Sequence, residues 1–165
     1  MFAALLLVTA HALQSQQTPP ARSAGSIVVR VDDKERAFSR AELGKITRHD
    51  YRILSEGSGD SATVSGVNLW DILQLAGVPS PEASGRQRVV TYVRMAGADG
   101  QNAVVSLAEI DPGFSRRVAV VADTRNGKLL DSSEGPWRVF IPDDMRHARW
   151  IRGLVSLEVV TLKPR

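Results

Sequence analysis

The pattern of apolar and polar positions after residue 25 predicts short strands interrupted by short helices. Ser26–Val31 is rich in β-branched residues, and Arg88–Met95 and Ile151–Leu162 have a similar composition. Val118–Ala122 is apolar at every position, which predicts a strand buried on both faces. Because strands dominate and do not alternate regularly with helices, the pattern predicts an α+β fold with a mixed or antiparallel sheet. Further strands are predicted at 49–54, 102–105 and 137–141.

Helix starts are marked by two capping-box patterns. Ser39 is followed three residues later by Glu42, and Ser106 is followed in the same way by Glu109. In this pattern the serine side chain and the glutamate side chain each accept from the other residue's backbone N–H. Both sites therefore predict the first turn of a short helix.

The clearest helix pattern begins at Asn68. One apolar face is formed by Leu69, Ile72, Leu73 and Ala76. Asn68 is a favoured N-cap residue, and Gly77 is suited to end the helix because glycine adopts the left-handed conformation without strain. The sequence therefore predicts an amphipathic helix over 69–76.

The first residues differ from the rest of the chain. Residues 1–12 contain an apolar run that ends in Ala10-His11-Ala12, which predicts a secretory signal peptide, although no Lys or Arg precedes the run. The run is too short to span a bilayer, and a buried N-terminal helix is the alternative. Residues 13–25 are polar and contain two prolines, as in a tether. We therefore expect one domain over 26–165 that is exported, to the periplasm or outside the cell.

Composition restricts the chemistry. The chain has 165 residues, which suits one domain, and it contains no cysteine. Disulfides, thiolate metal sites and cysteine nucleophiles are thus excluded. The net charge of +3 lies in the second half, where residues 83–165 carry 13 basic and 9 acidic side chains. This asymmetry indicates either an anionic partner or a solvated basic surface.

Several classes of site have no support in the sequence. Neither a glycine-rich dinucleotide fingerprint nor a P-loop occurs, and His11, His49 and His147 are far apart in the chain. Asp143-Asp144 beside a proline is more simply a turn than a catalytic carboxylate pair. The charge excess is modest and no basic face rich in aromatic residues is evident, so nucleic-acid binding is not expected.

The segment from Trp137 to Trp150 is the best candidate for a binding site. A predicted strand leads into a loop that carries Arg146, His147 and Arg149, with Arg152 just beyond. The guanidinium group suits an anion because its planar fork presents two donors and keeps its charge. The sequence therefore predicts a small-anion site in this loop.

Other roles are open for the same segment. His147 could add a further donor, and Trp150 could pack beneath the site or stack on a flat ring. Alternatively the loop is an ordinary surface loop whose arginines pair with Asp143, Asp144 and Glu158. The residues alone do not separate these interpretations.

Three stretches in order resemble the molybdopterin-binding domain of the sulfite-oxidase class. Met145–Trp150 is similar to the Arg-His-x-Lys-Trp stretch of that family, and Val64–Leu73 is similar to its Gly-Val-x-Leu-x-x-Leu-Leu helix entry. Asp131–Pro136, followed by Arg138 and Pro142, resembles the segment that leads into the cofactor loop. The resemblance covers about residues 26–162 and implies a compact α+β domain with a mixed sheet.

The resemblance also implies a cofactor site and departs from the family at one position. In the family the loop contacts the pterin and its phosphate, so Arg146, His147 and Arg149, with Arg152 as a helper, are the implied cofactor-binding residues. A cysteine after the second strand holds molybdenum in the catalytic members, and here that position is Leu54 or Ser55. A hydroxyl is a poor ligand for a soft metal. No catalytic or metal-binding residue is therefore carried over.

Three functions follow from these observations. The first is an exported domain that binds a pterin (molybdopterin itself being one candidate) or a related anionic ligand, without molybdenum redox chemistry. The second is an interaction domain for another exported protein, with no cofactor. The third is a complete oxidoreductase in which the pterin and oxygen ligands alone hold molybdenum. None of them requires a membrane span in the mature chain.

Overall fold

The computed structural model describes residues 25–55, 59–79 and 85–163. The predicted signal peptide, and the tether as far as residue 24, lie outside the described residues. Within those ranges the chain forms two sheets connected by short helices. In the part that the structure describes, no helix is both long enough and apolar enough to cross a membrane.

The first sheet contains the first and the last strand of the fold. Its strands are β1 (Ile27–Val31), β2 (Lys34–Phe38), β5 (Thr91–Gly97), β6 (Asn102–Ser106) and β10 (Leu154–Thr161). They lie in the order β2-β1-β10-β5-β6. The pair β1–β10 is parallel and the other three neighbouring pairs are antiparallel, so the sheet is mixed.

The second sheet is antiparallel. Its strands are β3 (Arg48–Leu54), β4 (Ser61–Asn68), β7 (Val120–Arg125), β8 (Lys128–Leu129) and β9 (Arg138–Phe140). They lie in the order β3-β4-β7-β8, and β9 also pairs with β7, along a different part of that strand from β8. The helices are α1 (Arg40–Leu43), α2 (Leu69–Leu75), α3 (Gly85–Val89) and α4 (Leu107–Ile110). Buried apolar side chains from both sheets and from α1, α2 and α4 form one core.

A bulge in the second sheet requires a glycine. The register between β4 and β7 shifts at Ser65/Gly66, so that Asp123 has no partner in the ladder. A Cβ at Gly66 would lie 2.3 Å from the Val121 carbonyl oxygen, which no larger residue could accommodate without a backbone shift. The Asp123 carboxylate accepts from the Arg40 guanidinium at 2.9 Å and from that of Arg48.

Two local predictions need correction, and one strand was not predicted. The strand predicted to begin at Arg88 begins only at Thr91, because Arg88 belongs to α3. The Thr91 hydroxyl donates to the Gln87 carbonyl at 2.7 Å. Strand β2 was not predicted, because four of its five residues are exposed and no apolar alternation marks it. Asn68 does not cap α2 with its side chain. Its Oδ1 atom accepts instead from the Tyr51 hydroxyl at 2.9 Å.

Both capping boxes are confirmed. The Ser39 amide donates to the Glu42 carboxylate at 2.9 Å, and the Ser106 amide donates to the Glu109 carboxylate at 3.2 Å. Gly77 has φ +97°, which is the left-handed conformation expected after the end of α2. These features depend on residues close in sequence, which is why the sequence was sufficient to predict them.

Candidate functional site

The loop between β9 and β10 contains the predicted anion site and is held by its own backbone. The Val139 amide donates to the Ile151 carbonyl at 2.9 Å, and the Asp144 amide donates to the Ile141 carbonyl at the same distance. A single 3-10 turn, His147–Arg149, ends where the Trp150 amide donates to the His147 carbonyl at 2.9 Å. The loop therefore presents its side chains from a fixed frame.

His147 and Trp150 pack on each other. Their ring centroids are 3.4 Å apart with an interplanar angle of 12°, so the rings are stacked. Trp150 is buried, and its indole N–H donates to the Ile141 carbonyl at 3.2 Å. Trp150 therefore packs beneath the loop, one of the two roles predicted for it, and one face of His147 is covered by the indole.

Arg149 points to carboxylates of the protein itself. Its guanidinium donates to Asp144 at 2.6 and 3.0 Å and lies 3.4 Å from Glu109 in α4. Arg117 also donates to Glu109, at 3.1 Å. We call these four residues the Glu109 network. Two arginines meet two carboxylates there, so its formal charges cancel.

The charges of the Glu109 network stabilise one another. Burial opposes ionisation of Glu109, but hydrogen bonds from the Arg149 side chain, the Ser106 amide and Arg117 outweigh it and lower the pKa of the carboxyl. The hydrogen bond from Arg149 to Asp144, together with Glu109, raises the pKa of the Arg149 guanidinium in spite of its partial burial. Both partners are therefore ionised over a wide pH range.

Arg146 and Arg152, the other two predicted residues, are exposed. The predicted set is thus divided: Arg149 is engaged by internal carboxylates, His147 lies on Trp150, and Arg146 and Arg152 face solvent. Their role in ligand binding stays a prediction.

A second group of arginines surrounds Glu134, just before β9. The guanidinium of Arg125 lies 3.1 Å from Glu134 Oε2 and donates to Oε1 at 3.2 Å, and Arg138 donates to the same Oε1. Arg138 is 6% exposed, and its Cζ atom lies 5.0 Å from the centre of the Phe140 ring. Arg125 Cζ lies 5.5 Å from the same ring. Two guanidinium groups therefore pair with the same carboxylate and pack near the same aromatic ring.

Arg152 adds a third positive charge to this group. The Gly153 amide donates to the Glu134 carbonyl at 2.9 Å, which brings Arg152 next to Glu134 along the backbone. Burial, together with the charges of Arg125 and Arg152, lowers the pKa of the Arg138 guanidinium, and Glu134 only partly offsets this. We call Arg125, Arg138, Arg152 and Glu134 the arginine cluster. Three arginines and one carboxylate leave a formal excess of two positive charges.

Polar atoms in the cluster are incompletely paired. The Nε atoms of Arg125 and Arg138 are buried and have no hydrogen-bond partner among the described residues. Sequence reasoning did not select Arg125, Arg138 or Glu134 as site residues. Glu134 and Arg138 do lie in the Asp131–Pro142 stretch that carried part of the family resemblance, which was the available signal.

The residues present do not fit a thiolate-bound molybdenum centre. The chain has no cysteine, and Leu54, one of the two positions that match the family's ligand, is an apolar side chain that is 61% exposed. Among the described residues no group of three His, Cys, Asp or Glu side chains is placed to hold a metal ion. Methionine, the remaining sulfur-containing residue type, does not occur near Leu54 in the sequence.

Four cavities, of about 60, 360, 460 and 640 Å³, are lined by other parts of the chain than the β9–β10 loop. The largest lies beside β2 and α2 and the next largest between α1 and the loop before β9. The arginines of the β9–β10 loop thus lie on a surface rather than at the bottom of one of these cavities.

Comparison with known proteins identifies a likeness of fold. No protein-family model and no curated protein sequence matches the chain. Among solved structures, the sulfane dehydrogenase SoxCD from Paracoccus pantotrophus matches with a TM-score of 0.63 and 16% sequence identity. The match covers 86% of this chain but 39% of that chain, so this chain spans well under half of its neighbour's length. The likeness confirms the predicted α+β, sulfite-oxidase-like fold.

Proposed function

We propose that this chain is a binding domain for a pterin or a related small anionic ligand, and that it does not perform molybdenum redox chemistry. The observation that carries the proposal is the arginine cluster, in which Arg125 and Arg138 share the carboxylate of Glu134 and Arg152 adds a positive charge that acts on Arg138. The resemblance of Met145–Trp150 to the cofactor loop of the sulfite-oxidase class supports the choice of a pterin as the first ligand to test.

The energetic argument concerns charge. A buried guanidinium is costly unless it is paired and hydrogen-bonded, and like charges nearby raise that cost. Arg138 is nine-tenths buried, whereas Arg125 is one-third exposed, so the cluster combines a buried charge with an accessible one. An external phosphate or carboxylate that contacts Arg125 and Arg152 would offset the excess charge and gain charge-assisted hydrogen bonds.

Arg146 extends this surface. It lies in the same β9–β10 connection as Arg152 and is exposed, so it is free to contact a larger ligand beyond the cluster. Arg149 has a different role, because it is held by Asp144 and Glu109 and fixes the loop. We therefore assign ligand binding to Arg125, Arg146 and Arg152. We assign loop support to Arg149 and the stacked His147.

The restriction to binding follows from the absent thiolate. A cysteine holds molybdenum in the catalytic members of the family that the sequence resembles, and Leu54 and Ser55 supply no sulfur. Export is part of the proposal on the strength of residues 1–12 alone.

The proposal is tested by loading the protein with a fluorescent pterin and by measuring the melting temperature in phosphate and in chloride of equal ionic strength. We expect stoichiometric pterin fluorescence after gel filtration and a higher melting temperature in phosphate, because a ligand that binds only the folded state stabilises it. Arg152→Ala and Arg146→Ala should each weaken loading about tenfold, the usual loss for one charged contact.

Arg30→Ala is the control, since it also removes one arginine charge from the surface, but Arg30 pairs with Glu35 on the first sheet. It should load normally. Protein that stays free of pterin under conditions that load an established pterin-binding relative would sink the pterin assignment. Equal melting temperatures in phosphate and chloride would sink the wider anion assignment.

A second candidate function is an interaction domain without a cofactor. The observation that favours it is the internal pairing of Arg149 with Asp144 and Glu109, which neutralises one of the arginines predicted to meet the ligand. If this function is correct, the parent protein binds neither pterin nor phosphate, and Arg146→Ala and Arg152→Ala do not change that result. The same loading experiment therefore separates the two candidates.

A further inference from the structure

A cleft of about 360 Å³ lies between the start of α2 and the loop that joins α4 to β7. Its apolar wall includes Trp70, Ile110 and Val118, and its polar wall includes Asp71 and Arg116. The volume lies within the usual range of small-molecule sites, and a mainly apolar lining with a few polar groups is typical of them. We call this the Trp70 cleft. None of its lining residues belongs to the arginine cluster.

Trp70 is fixed from behind by a buried ion pair. The Cζ atom of Arg88 lies 5.1 Å from the Trp70 ring centre, Arg88 is 4% exposed, and its guanidinium pairs with the fully buried Asp111. The ring is therefore held in place without a ligand, and it is partly exposed. Preorganisation of this kind lowers the entropic cost of binding a second flat ring.

The polar groups of the cleft are available. Asp71 and Arg116 carry opposite charges and line the same cleft. Neither side chain makes a hydrogen bond or an ion pair with any described residue. The other arginine of the cleft, Arg117, donates to Glu109 and is compensated there. Asn68 uses its Oδ1 atom to accept from Tyr51, which leaves its amide N–H₂ as a donor.

We propose that the Trp70 cleft binds a small zwitterion that carries an aromatic ring, of the class of the free aromatic amino acids. The ring packs on Trp70, the ammonium group pairs with Asp71, and the carboxylate pairs with Arg116. An aromatic pair contributes beyond its buried area, and the two opposite charges of the ligand match the two unpaired charges of the cleft. A ligand with a single charge would pair with either Asp71 or Arg116 and would leave the other side chain without an ionic partner.

Tryptophan emission provides the assay. The chain has three tryptophans, and Trp137 and Trp150 are 1% and 3% exposed, so a soluble ligand changes the emission mainly at Trp70. The probe is L-phenylalanine, which does not absorb where tryptophan is selectively excited. We expect a saturable change in emission, and about tenfold weaker binding for Asp71→Asn and for Arg116→Ala.

Matched ligands and variants make the test specific. Phenethylamine lacks the carboxylate and hydrocinnamate lacks the ammonium group, and each should bind about tenfold more weakly than L-phenylalanine. Arg86→Ala, an exposed arginine on α3, should bind as the parent does. Trp70→Phe keeps an aromatic wall, so calorimetry should still detect binding while the emission change disappears.

Two outcomes would overturn the proposal. One is the absence of saturable binding of L-phenylalanine. The other is equal binding of the three ligands, or of the parent and both charge variants, which would make the cleft a surface groove without charge selectivity. Both readouts are independent of pterin and phosphate loading, so failure here leaves the proposed function standing, and failure there leaves this site standing.

Discussion

The arginine cluster and the Glu109 network both include residues of the β9–β10 connection, but they differ in charge balance. The network joins two arginines to two carboxylates. In the cluster one carboxylate pairs with Arg125 and Arg138, and Arg152 adds a third positive charge. The network lowers the pKa of Glu109, and the cluster lowers the pKa of Arg138. The first arrangement therefore supports the loop by itself, and the second has charge left over for a ligand.

This difference shows why a run of basic residues does not define a site. Arg146, Arg149 and Arg152 lie within seven residues, yet among the residues that the structure describes only Arg149 is engaged by carboxylates. Glu109, one of its partners, is 40 residues away in the chain. What decides whether an arginine can meet a ligand is the carboxylate that the fold places beside it.

The largest expected effect is on the buried member of the cluster. Arg138→Ala should reduce the free energy of unfolding by about 3 kcal/mol, because it removes a buried ion-pair partner and the packing on Phe140. Urea denaturation measures this. Arg30→Ala, an exposed pair, should cost less than about 1 kcal/mol. Equal losses for both variants would contradict the distinction between buried and exposed pairs.

A smaller effect is expected in the network. Arg149→Ala should reduce the free energy of unfolding by about 1–2 kcal/mol, because it leaves Asp144 and Glu109 without their shared cation. Phosphate should raise the melting temperature of this variant as much as that of the parent. If the phosphate response were lost instead, Arg149 would be a ligand residue and the contrast between the two regions would fail.

Acid sensitivity is the next smaller effect. Although burial has the opposing effect, the pKa of Glu109 is lower in the folded protein than its ordinary value, chiefly because Arg149 and the Ser106 amide donate to the carboxylate. Its contribution to stability is therefore present above that ordinary value and is lost as pH falls through the folded pKa. Glu109→Gln should therefore be less stable than the parent at pH 7, by less than about 1 kcal/mol, and equally stable at the acid end. Melting curves between pH 7 and pH 3 measure the convergence.

The smallest effect has the opposite sign. In chloride buffer Arg152→Ala should melt at the same temperature as the parent or slightly higher, because it removes a like charge that acts on Arg138. In phosphate the parent should gain stability and the variant should gain less. A variant that melts clearly lower in chloride would show that Arg152 is compensated, and that the cluster has no excess charge to offer.

The sequence by itself determined the features that depend on neighbouring residues. The strand composition of Ile27–Val31, the two capping boxes and the glycine after α2 are confirmed, because each is decided within a few residues by backbone preference or local hydrogen bonds. The family resemblance, which rested on ordered short motifs, led to the confirmed fold class. The absence of cysteine from the chain is sufficient to exclude a protein thiolate as a metal ligand.

Only the tertiary structure decided which charges meet. In the folded chain Arg88 lies on a helix and forms a buried ion pair with Asp111, and the Asn68 side chain accepts a hydrogen bond from Tyr51. Of the loop arginines, Arg149 pairs with internal carboxylates, whereas Arg146 and Arg152 face solvent. Glu109 and Arg149 are 40 residues apart in the chain. Arg88 lies in α3, and Asp111 follows the last residue of α4. The physical reason is that ion pairing depends on distance in space and on burial, and neither follows from the order of residues along the chain.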